Sequence, residues 1–190
     1  MKSKAIEFIP ATLNDRALVK ALWKKVIDQA FIEEGLDQYH NPSHELEFKM
    51  EQFDVALTQE SAHYFLAFKN NFLIGTIAYG SPPNSGILKR TNQALKDKVE
   101  IGSLYIDPTL QKHGYGSVLL IFLLEYLLEN GVYEVCFDSI IETSKKIWSR
   151  MFGEPKYKIR SKKHDFTHMI WVVNVKDSIK RIKNLEYKNQ

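Results

Sequence analysis

The residues best able to do chemistry lie in the stretch LYIDPTLQKHGYGS, residues 104–117. A run typical of a β-strand ends there at Asp107 and Pro108, and Gln111, Gly114 and Gly116 then lead into a strongly apolar helical pattern. Glycines let the backbone curl so that several N–H groups point at one spot before a helix N-terminus, where the helix dipole also favours negative charge. The stretch therefore predicts an anion site suited to phosphate; a plain glycine turn is the alternative.

Two common phosphate-binding loops do not fit this stretch. A nucleoside triphosphatase loop ends in Gly-Lys-Ser/Thr, but here Gly116 is followed directly by Ser117. The dinucleotide-binding pattern needs a third glycine three residues after the second, where this chain has Leu119. Both classes are excluded by the residues themselves.

The stretch does resemble the fingerprint Q/R-x-x-G-x-G/A of the GNAT superfamily of acetyl-CoA-dependent N-acetyltransferases, matched by Gln111, Gly114 and Gly116. Residues 104–108 are similar to the strand and exit turn before that loop, and residues 119–128 to the leucine-rich helix after it. The resemblance implies an enzyme that moves an acetyl group from acetyl-CoA to a primary amine by direct attack in a ternary complex. A catalytically weak acyl-CoA-binding module is the alternative.

The resemblance also implies which residues hold acetyl-CoA. Backbone N–H groups of residues 112–117 would hold the pyrophosphate, and the main chain of Leu104 and Ile106 would pair with the pantetheine arm. A bulge in this strand would aim an N–H at the thioester oxygen, with residues 104–106 as the candidate region. The expected cofactor-binding residues are Leu104, Tyr105, Ile106, Gln111, Lys112, His113, Gly114, Tyr115, Gly116 and Ser117.

Two residues are candidates for proton transfer. The attacking amine must lose a proton, and Glu100, at the start of the same strand, resembles the base glutamate of histone-type family members; an exposed strand-edge glutamate is the alternative. Many members carry a tyrosine on the fourth helix that protonates the leaving thiolate, but counting back from Gly153 places Ser149 there. A thiolate also leaves without protonation, because its pKa is only about 8.5.

Charge is distributed unevenly along the 190 residues. Residues 1–60 carry 7 Lys/Arg against 11 Asp/Glu, and residues 131–190 carry 13 against 7. The acidic part suits a cationic acceptor, either a small metabolite or a protein amine. In folds of this family the first two helices and their loop build the acceptor site, which here implies Glu33, Glu34, Asp37, Tyr39, His40 and Glu45.

The order of apolar patterns predicts an α/β fold of the mixed α+β kind. Short strands are expected at residues 6–10, 63–68, 72–79, 99–106, 132–138 and 169–175. Helices are expected to begin near residues 13, 43, 117, 143 and 177. The strand–helix–strand unit at 99–138 should be parallel, and the hairpin before it antiparallel. We therefore expect a central, mostly antiparallel sheet of six to seven strands with helices on both faces, in one GNAT-like N-acyltransferase domain over residues 1–190. Its core spans about residues 6–175, and a basic helix covers about 177–187.

Other classes of site find little support. Both His40/His44 and His164/His168 have a spacing that a helix turns into a metal site, but neither carries the glutamate of H-E-x-x-H. We expect no metal, and we expect Cys136, the one cysteine, to be buried within a strand.

Composition bounds the remaining expectations. No apolar run approaches the roughly 20 residues that cross a bilayer, and no nucleic-acid-binding module is recognisable. We expect a cytoplasmic protein that binds neither membrane nor nucleic acid, with a homodimer left open. The alternative that the chain is a nucleic-acid-binding protein with a basic tail is supported only by the charge of residues 131–190.

Overall fold

A computed structural model describes residues 5–36, 41–161 and 166–187. The strands are β1 (Glu7–Pro10), β2 (Ala62–Lys69), β3 (Phe72–Gly80), β4 (Val99–Ile106), β5 (Glu134–Ser139), β6 (Tyr157–Arg160) and β7 (Thr167–Asn174). The α-helices of the described residues are α1 (Arg16–Glu34), α2 (Pro42–Gln59), α3 (Ser85–Arg90), α4 (Tyr115–Glu129), α5 (Glu142–Phe152) and α6 (Val175–Tyr187).

The strands form one seven-stranded sheet in the order β1-β2-β3-β4-β5-β7-β6. β4 and β5 run parallel, with Val99 beside Val135 and Glu100 beside Cys136. The pairs β1–β2, β5–β7 and β6–β7 are antiparallel. This confirms the predicted mixed, mostly antiparallel sheet. The four-residue β6 has no counterpart among the predicted strands.

The chain divides into two compact units, of which the first comprises residues 1–78 and 103–120. Its core lies under α1 and α2, where Trp23 is fully buried. The Trp23 ring lies 5.8 Å from Phe53 and 5.4 Å from Tyr105, both edge-on, an arrangement that the ring quadrupoles favour.

β3 carries helices on both of its faces within the first unit. Thr76 faces α1, and a Cβ built on the preceding Gly75 would lie 3.0 Å from Leu119 of α4. Successive strand residues point to opposite faces, so the two helices cover opposite sides of the strand.

The second unit comprises residues 79–102 and 121–190. Cys136 of β5 and Ile170 of β7 are buried there with residues of the 81–97 segment. Phe137 stacks against Trp171 at 5.7 Å and contacts Trp148 at 5.1 Å, so aromatic rings fix α5 against β5 and β7.

The buried stripe of α1 differs from the sequence pattern. The spacing of Leu13, Ala17, Leu18, Ala21, Leu22 and Val26 predicts the apolar face of the helix. Leu22 and Val26 are indeed buried, but Leu13 and Leu18 are 51% and 43% exposed. The buried side chains are Val19, Leu22, Trp23, Val26, Ile27 and Phe31. Apolar residues occur almost all round this helix, and the face that carries the tryptophan is the one that is buried.

Turn residues act mostly as their types predict. Asn70 and Asn71 have φ of 52° and 66°, as the tight turn of the β2–β3 hairpin requires. Gly35 ends α1 in the left-handed conformation. Ser43 was the expected cap of α2, but the cap is Asn41, whose Oδ1 accepts from the Ser43 N–H at 2.9 Å. No helix of the described residues is long and apolar enough to cross a membrane.

Candidate functional site

The turn after β4 is held by Asp107. Its carboxylate accepts from Thr109 N–H and Oγ1 at 3.0 and 2.7 Å and from Lys25 Nζ at 3.2 Å. Burial raises the pKa of Asp107, but the hydrogen bonds from Thr109 and Lys25 outweigh it, so the pKa lies below its usual value. The Asp107 N–H donates to the Ile74 carbonyl at 2.9 Å, which ties the turn to β3.

The loop between this turn and α4 curls back on itself. Gln111 Nε2 donates to the Ile106 carbonyl at 3.2 Å, and His113 Nδ1 donates to the Gln111 carbonyl at 2.7 Å. Lys112 and Gly114 have φ of 63° and 82°. Two left-handed residues so close together turn the peptide planes inward, the geometry of a backbone anion nest.

Within the part of the chain that the structure describes, the amides of this loop have no main-chain partner. The first bond of α4 runs from the Val118 N–H to the Gly114 carbonyl at 3.2 Å. Among the described residues, no carbonyl accepts from the N–H groups of 112–117. A Cβ added to Gly114 would meet no atom within 4 Å, and one on Gly116 would lie 3.9 Å from Ile106 Cγ1. The loop therefore presents open donors at a helix N-terminus, which attracts an anion.

A lysine from the β2–β3 hairpin approaches the same loop. Lys69 Nζ donates to the Tyr115 hydroxyl and lies 4.8 Å from the centre of its ring. Tyr115 opens α4 between the two loop glycines. With Lys112, Lys69 adds positive charge beside the unpaired amides.

β4 contains an irregular residue directly before the predicted pantetheine segment. Ser103 has φ of 49°, a left-handed conformation that non-glycine residues rarely adopt within a strand. This conformation makes Ser103 the irregular residue of β4, next to the segment 104–106 where a bulge is predicted. The Ser103 carbonyl accepts from Thr76 Oγ1 at 3.0 Å, and Thr76 Oγ1 accepts from Trp23 Nε1 at 2.9 Å.

Tyr105, predicted as a cofactor-binding residue, directs its side chain into the α1–α2 core. Burial raises the pKa of its hydroxyl, Lys49 lowers it, and Glu45 raises it, so both α2 charges lie within electrostatic range. Ile106 points to the other face of β4, towards Gly75 and Gly116. The side chain of Tyr105 therefore lies in the core, and only its main chain belongs to the segment predicted to pair with the pantetheine arm.

Glu100 is hydrogen-bonded to the segment before α3. Its Oε2 accepts from the Asn84 N–H at 2.5 Å and its Oε1 from Asn84 Nδ2 at 2.6 Å. Asn84 in turn caps α3 by accepting from the Gly86 N–H at 2.9 Å. Glu100 is thus held against the start of α3 by both carboxylate oxygens.

Ser149 lies half-buried on α5, where its carbonyl accepts from the Gly153 N–H at 2.8 Å. One helical turn earlier, Lys145 is buried and its Nζ donates to Glu142 Oε1 at 2.6 Å. Residues four apart share a helix face. The face expected to carry a proton donor therefore also carries a buried ammonium.

The expected acceptor residues are described only in part. Glu33 is exposed and accepts from Gln29 Nε2 at 2.6 Å, and Glu34 and Glu45 are half-buried. Asp37, Tyr39 and His40 lie outside the described residues. The described part is not uniformly acidic, because Lys49 lies one helical turn after Glu45.

Other reactive side chains are held in the interior. Cys136 is fully buried, and burial together with the charges of Glu100 and Asp138 raises its pKa to about 12, which excludes a thiolate nucleophile near neutral pH. His168 Nε2 donates to the Asp138 carboxylate, and its partner in the H-x-x-x-H spacing, His164, is not described. The described residues contain no group of three or more His, Cys, Asp or Glu side chains that could hold a metal ion.

Several residues beside the predicted site escaped the sequence analysis. They are Trp23, Lys69, Thr76, Asn84, Ser103 and Lys145. Lys69, Thr76 and Asn84 each contact Tyr115, Ser103 or Glu100 from a distant part of the chain, and Trp23 contacts Thr76. Lys145 alone had a local signal, its position one helical turn before Ser149.

The chain matches the sequence model of a known family. The sequence model described as "Acetyltransferase (GNAT) family" matches residues 27–146, which is more than half of the chain. The matched part includes β4, the loop and α4. No curated protein matches the sequence.

Solved structures share the fold. A GNAT-family protein from Desulfovibrio desulfuricans superimposes with a TM-score of 0.65 at 16% identity over 90% of this chain and 99% of its own. A PaiA N-acetyltransferase from Thermoplasma acidophilum in complex with coenzyme A superimposes with a TM-score of 0.58 at 14% identity, over 88% of this chain and 99% of its own. A chimera of the spermidine N-acetyltransferase SpeG from Vibrio cholerae and hSSAT superimposes with a TM-score of 0.61 at 12% identity, over 93% of this chain and 99% of its own. At these identities the matches establish the fold.

Proposed function

The chain belongs to the GNAT family of acetyltransferases, and we propose that it moves an acetyl group from acetyl-CoA to a primary amine by direct attack in a ternary complex. The observation that carries the proposal is the set of unpaired amides at 112–117 in front of α4. The solved structure with coenzyme A supports a coenzyme A derivative as the anion.

In this proposal the loop binds the pyrophosphate through its main chain. Open space at Gly114 lets phosphate oxygens approach the backbone without meeting a side chain. Lys112 and Lys69 add cations beside it. The main chain of Leu104 and Ile106 pairs with the pantetheine arm, and an amide at the Ser103 bulge donates to the thioester oxygen. Donors fixed before the reaction stabilise the negative charge that develops there as the amine attacks.

We assign the proton transfers to Glu100 and Ser149. Glu100 takes a proton from the attacking ammonium, directly or through one water. The nitrogen then attacks the thioester carbon, the C–S bond breaks, and the thiolate leaves with its electron pair. The nitrogen gives up its second proton to solvent as the amide forms, and solvent returns a proton to the Ser149 oxygen once that residue has donated. Ser149 is the assigned donor to the sulfur; its weak acidity is tolerable because a thiolate is already an adequate leaving group.

The acceptor proposed here is a small or peptidic cation. Glu33, Glu34 and Glu45 bring carboxylates to the facing ends of α1 and α2. A polyamine fits such a surface, and a spermidine acetyltransferase shares the fold.

The test is acetyl transfer from acetyl-CoA to a panel of spermidine, an aminoglycoside and lysine-containing and free N-terminal peptides, with the products identified by mass spectrometry. Transfer to at least one amine is expected. Tight binding of coenzyme A without transfer to any amine would instead identify an acyl-CoA-binding module. No binding of coenzyme A would overturn the proposal as a whole.

A further inference from the structure

A buried chain of hydrogen bonds runs from α1 to the bulge of β4. Trp23 Nε1 donates to Thr76 Oγ1 at 2.9 Å, and Thr76 Oγ1 donates to the Ser103 carbonyl at 3.0 Å. Trp23 and Thr76 each expose 0% of their surface. A threonine hydroxyl has one proton. That proton goes to the Ser103 carbonyl, while the hydroxyl oxygen accepts from the Trp23 N–H. The two bonds together hold the Thr76 hydroxyl in one orientation.

This chain fixes the plane of one peptide. The described residues have no cis peptide between Ser103 and Leu104, and in a trans peptide the carbonyl and the N–H point in opposite directions. The Ser103 carbonyl is drawn towards Thr76 on β3. The Leu104 N–H is therefore turned away from β3, out of the pairing that β3 provides.

The local backbone needs such a restraint. With φ of 49°, Ser103 occupies a region that costs free energy for a residue with a side chain and persists only when the surroundings over-determine it. The Thr76 hydroxyl supplies one such restraint, because it bonds the Ser103 carbonyl directly at 3.0 Å.

We propose that Thr76 is a positioning residue for acetyl transfer: with its hydroxyl oriented by Trp23, it holds the Ser103–Leu104 peptide so that the Leu104 N–H is aimed at the thioester oxygen. The inference rests on the proposed function. Thr76 touches no substrate and acts only through the peptide. We therefore expect Thr76 to affect the rate of the chemical step, because an amide that donates to developing charge stabilises the transition state more than it stabilises the bound substrate.

The experiment compares Thr76→Val, which keeps the shape but loses the hydroxyl, with Thr76→Ser, which retains it. Steady-state kcat and the KM for acetyl-CoA are measured with the amine found by the panel, well below each variant's unfolding temperature, together with calorimetric binding of coenzyme A. For Thr76→Val we expect kcat to fall about 10- to 100-fold, somewhat less than for outright removal of an oxyanion donor, with the affinity for coenzyme A unchanged. Thr76→Ser should recover most of kcat.

The matched control is Thr91→Val. Thr91 is also buried, and its Oγ1 donates to a carbonyl, that of Ile87 at 2.9 Å, but it lies in the segment after α3. Thr91→Val should lower the unfolding temperature while leaving kcat within about twofold of the wild-type value. That change is far smaller than a tenfold loss, which corresponds to about 1.4 kcal/mol. A loss of kcat in this control equal to that of Thr76→Val would overturn the positioning role.

Two further outcomes decide the proposal. Unchanged kcat in folded Thr76→Val overturns it; if that variant does not fold, Trp23→Phe takes its place and must lower kcat at unchanged coenzyme A affinity. Absence of transfer by the wild-type protein to every amine overturns the proposed function, and this role with it, before any variant is made.

Discussion

The strand segment before Ile106 and the loop after it are both irregular, but they differ in how their polar groups are used. Around Ser103 the irregular carbonyl is paired with a buried hydroxyl that is itself paired. In the loop, Lys112 and Gly114 are also left-handed, yet the amides of 112–117 have no carbonyl partner among the described residues.

The difference separates two tasks. A group that aims at a reacting atom must be held before the substrate arrives, so its neighbours are fully bonded. Groups that bind an anion must keep their donors available, so the loop is fixed through the side chains of Asp107, Gln111 and His113 and not through its own amides. From this we expect changes near the strand to affect rate or folding, and changes in the loop to affect affinity.

Glu100→Gln should have the largest effect. The amide keeps the shape, and its one oxygen can still accept one of the two bonds from Asn84. It cannot take a proton, so acetyl transfer near neutral pH should fall by about 10²–10⁴-fold. Coenzyme A affinity should barely move. Asn84→Ser is the control, because serine can still cap α3 while the bond from Asn84 Nδ2 is lost; it should keep most of the rate. Equal losses in both variants would make Glu100 an anchor for the loop and not the base.

Gly75→Ala tests the packing behind the bulge. The added Cβ would lie 2.7 Å from the Tyr105 carbonyl oxygen and from Ile106 Cδ1, so β3 and β4 must separate. We expect a loss of about 1–3 kcal/mol in the free energy of unfolding, measured by denaturant titration. Gly116→Ala, whose Cβ would make an ordinary contact at 3.9 Å, should lose far less. Wild-type stability in Gly75→Ala would show that the two strands yield freely here.

Gly114→Val tests the loop. A β-branched side chain at φ of 82° is strained and stands where phosphate would approach the backbone, so calorimetry should show coenzyme A binding weakened about tenfold or more, a loss of about 1.4 kcal/mol. Gly131→Val is matched, because Gly131 has φ of 79° and equally open surroundings at the end of α4. It should share the strain and keep the affinity; equal weakening in both would remove the loop from the binding site.

The smallest effect is expected on the acceptor side. Replacing Glu33, Glu34 and Asp37 together by their amides should raise the KM for the amine several-fold with kcat nearly kept. Added salt should reduce the wild-type advantage, because exposed charges are screened beyond about 8–10 Å at physiological ionic strength. A triple variant equal to the wild type at every salt concentration would move the acceptor pocket elsewhere, with the 81–97 segment as the next candidate.

The sequence predicts those parts of the fold whose signals are local. The βαβ order, the Asn70–Asn71 turn and the β4 boundaries follow from alternation and turn chemistry. β6 was missed because its four residues, Tyr-Lys-Ile-Arg, offer only two apolar positions. The α2 cap was misplaced because Asn41 and Ser43 are both good capping residues, and the choice depends on where Pro42 begins the helix.

The candidate site shows the same division. A glycine spacing locates the loop, because its function resides in its own backbone. The environment of Glu100 depends on Asn84, 16 residues earlier, and the left-handed Ser103 depends on Thr76 and Trp23. No local pattern marks a serine for that conformation, since the contact that holds it forms only after α1, β3 and β4 have come together.

The burial of Cys136 has a practical consequence. The chain has one cysteine, it is fully enclosed in β5, and its thiol stays protonated near neutral pH. A maleimide dye should therefore leave the folded wild-type protein unlabelled, and one cysteine introduced at an exposed position would carry the only fluorophore. Placed at His113, which is exposed in the anion loop, such a dye would report arrival of the nucleotide end of a ligand in real time, without removing the native cysteine.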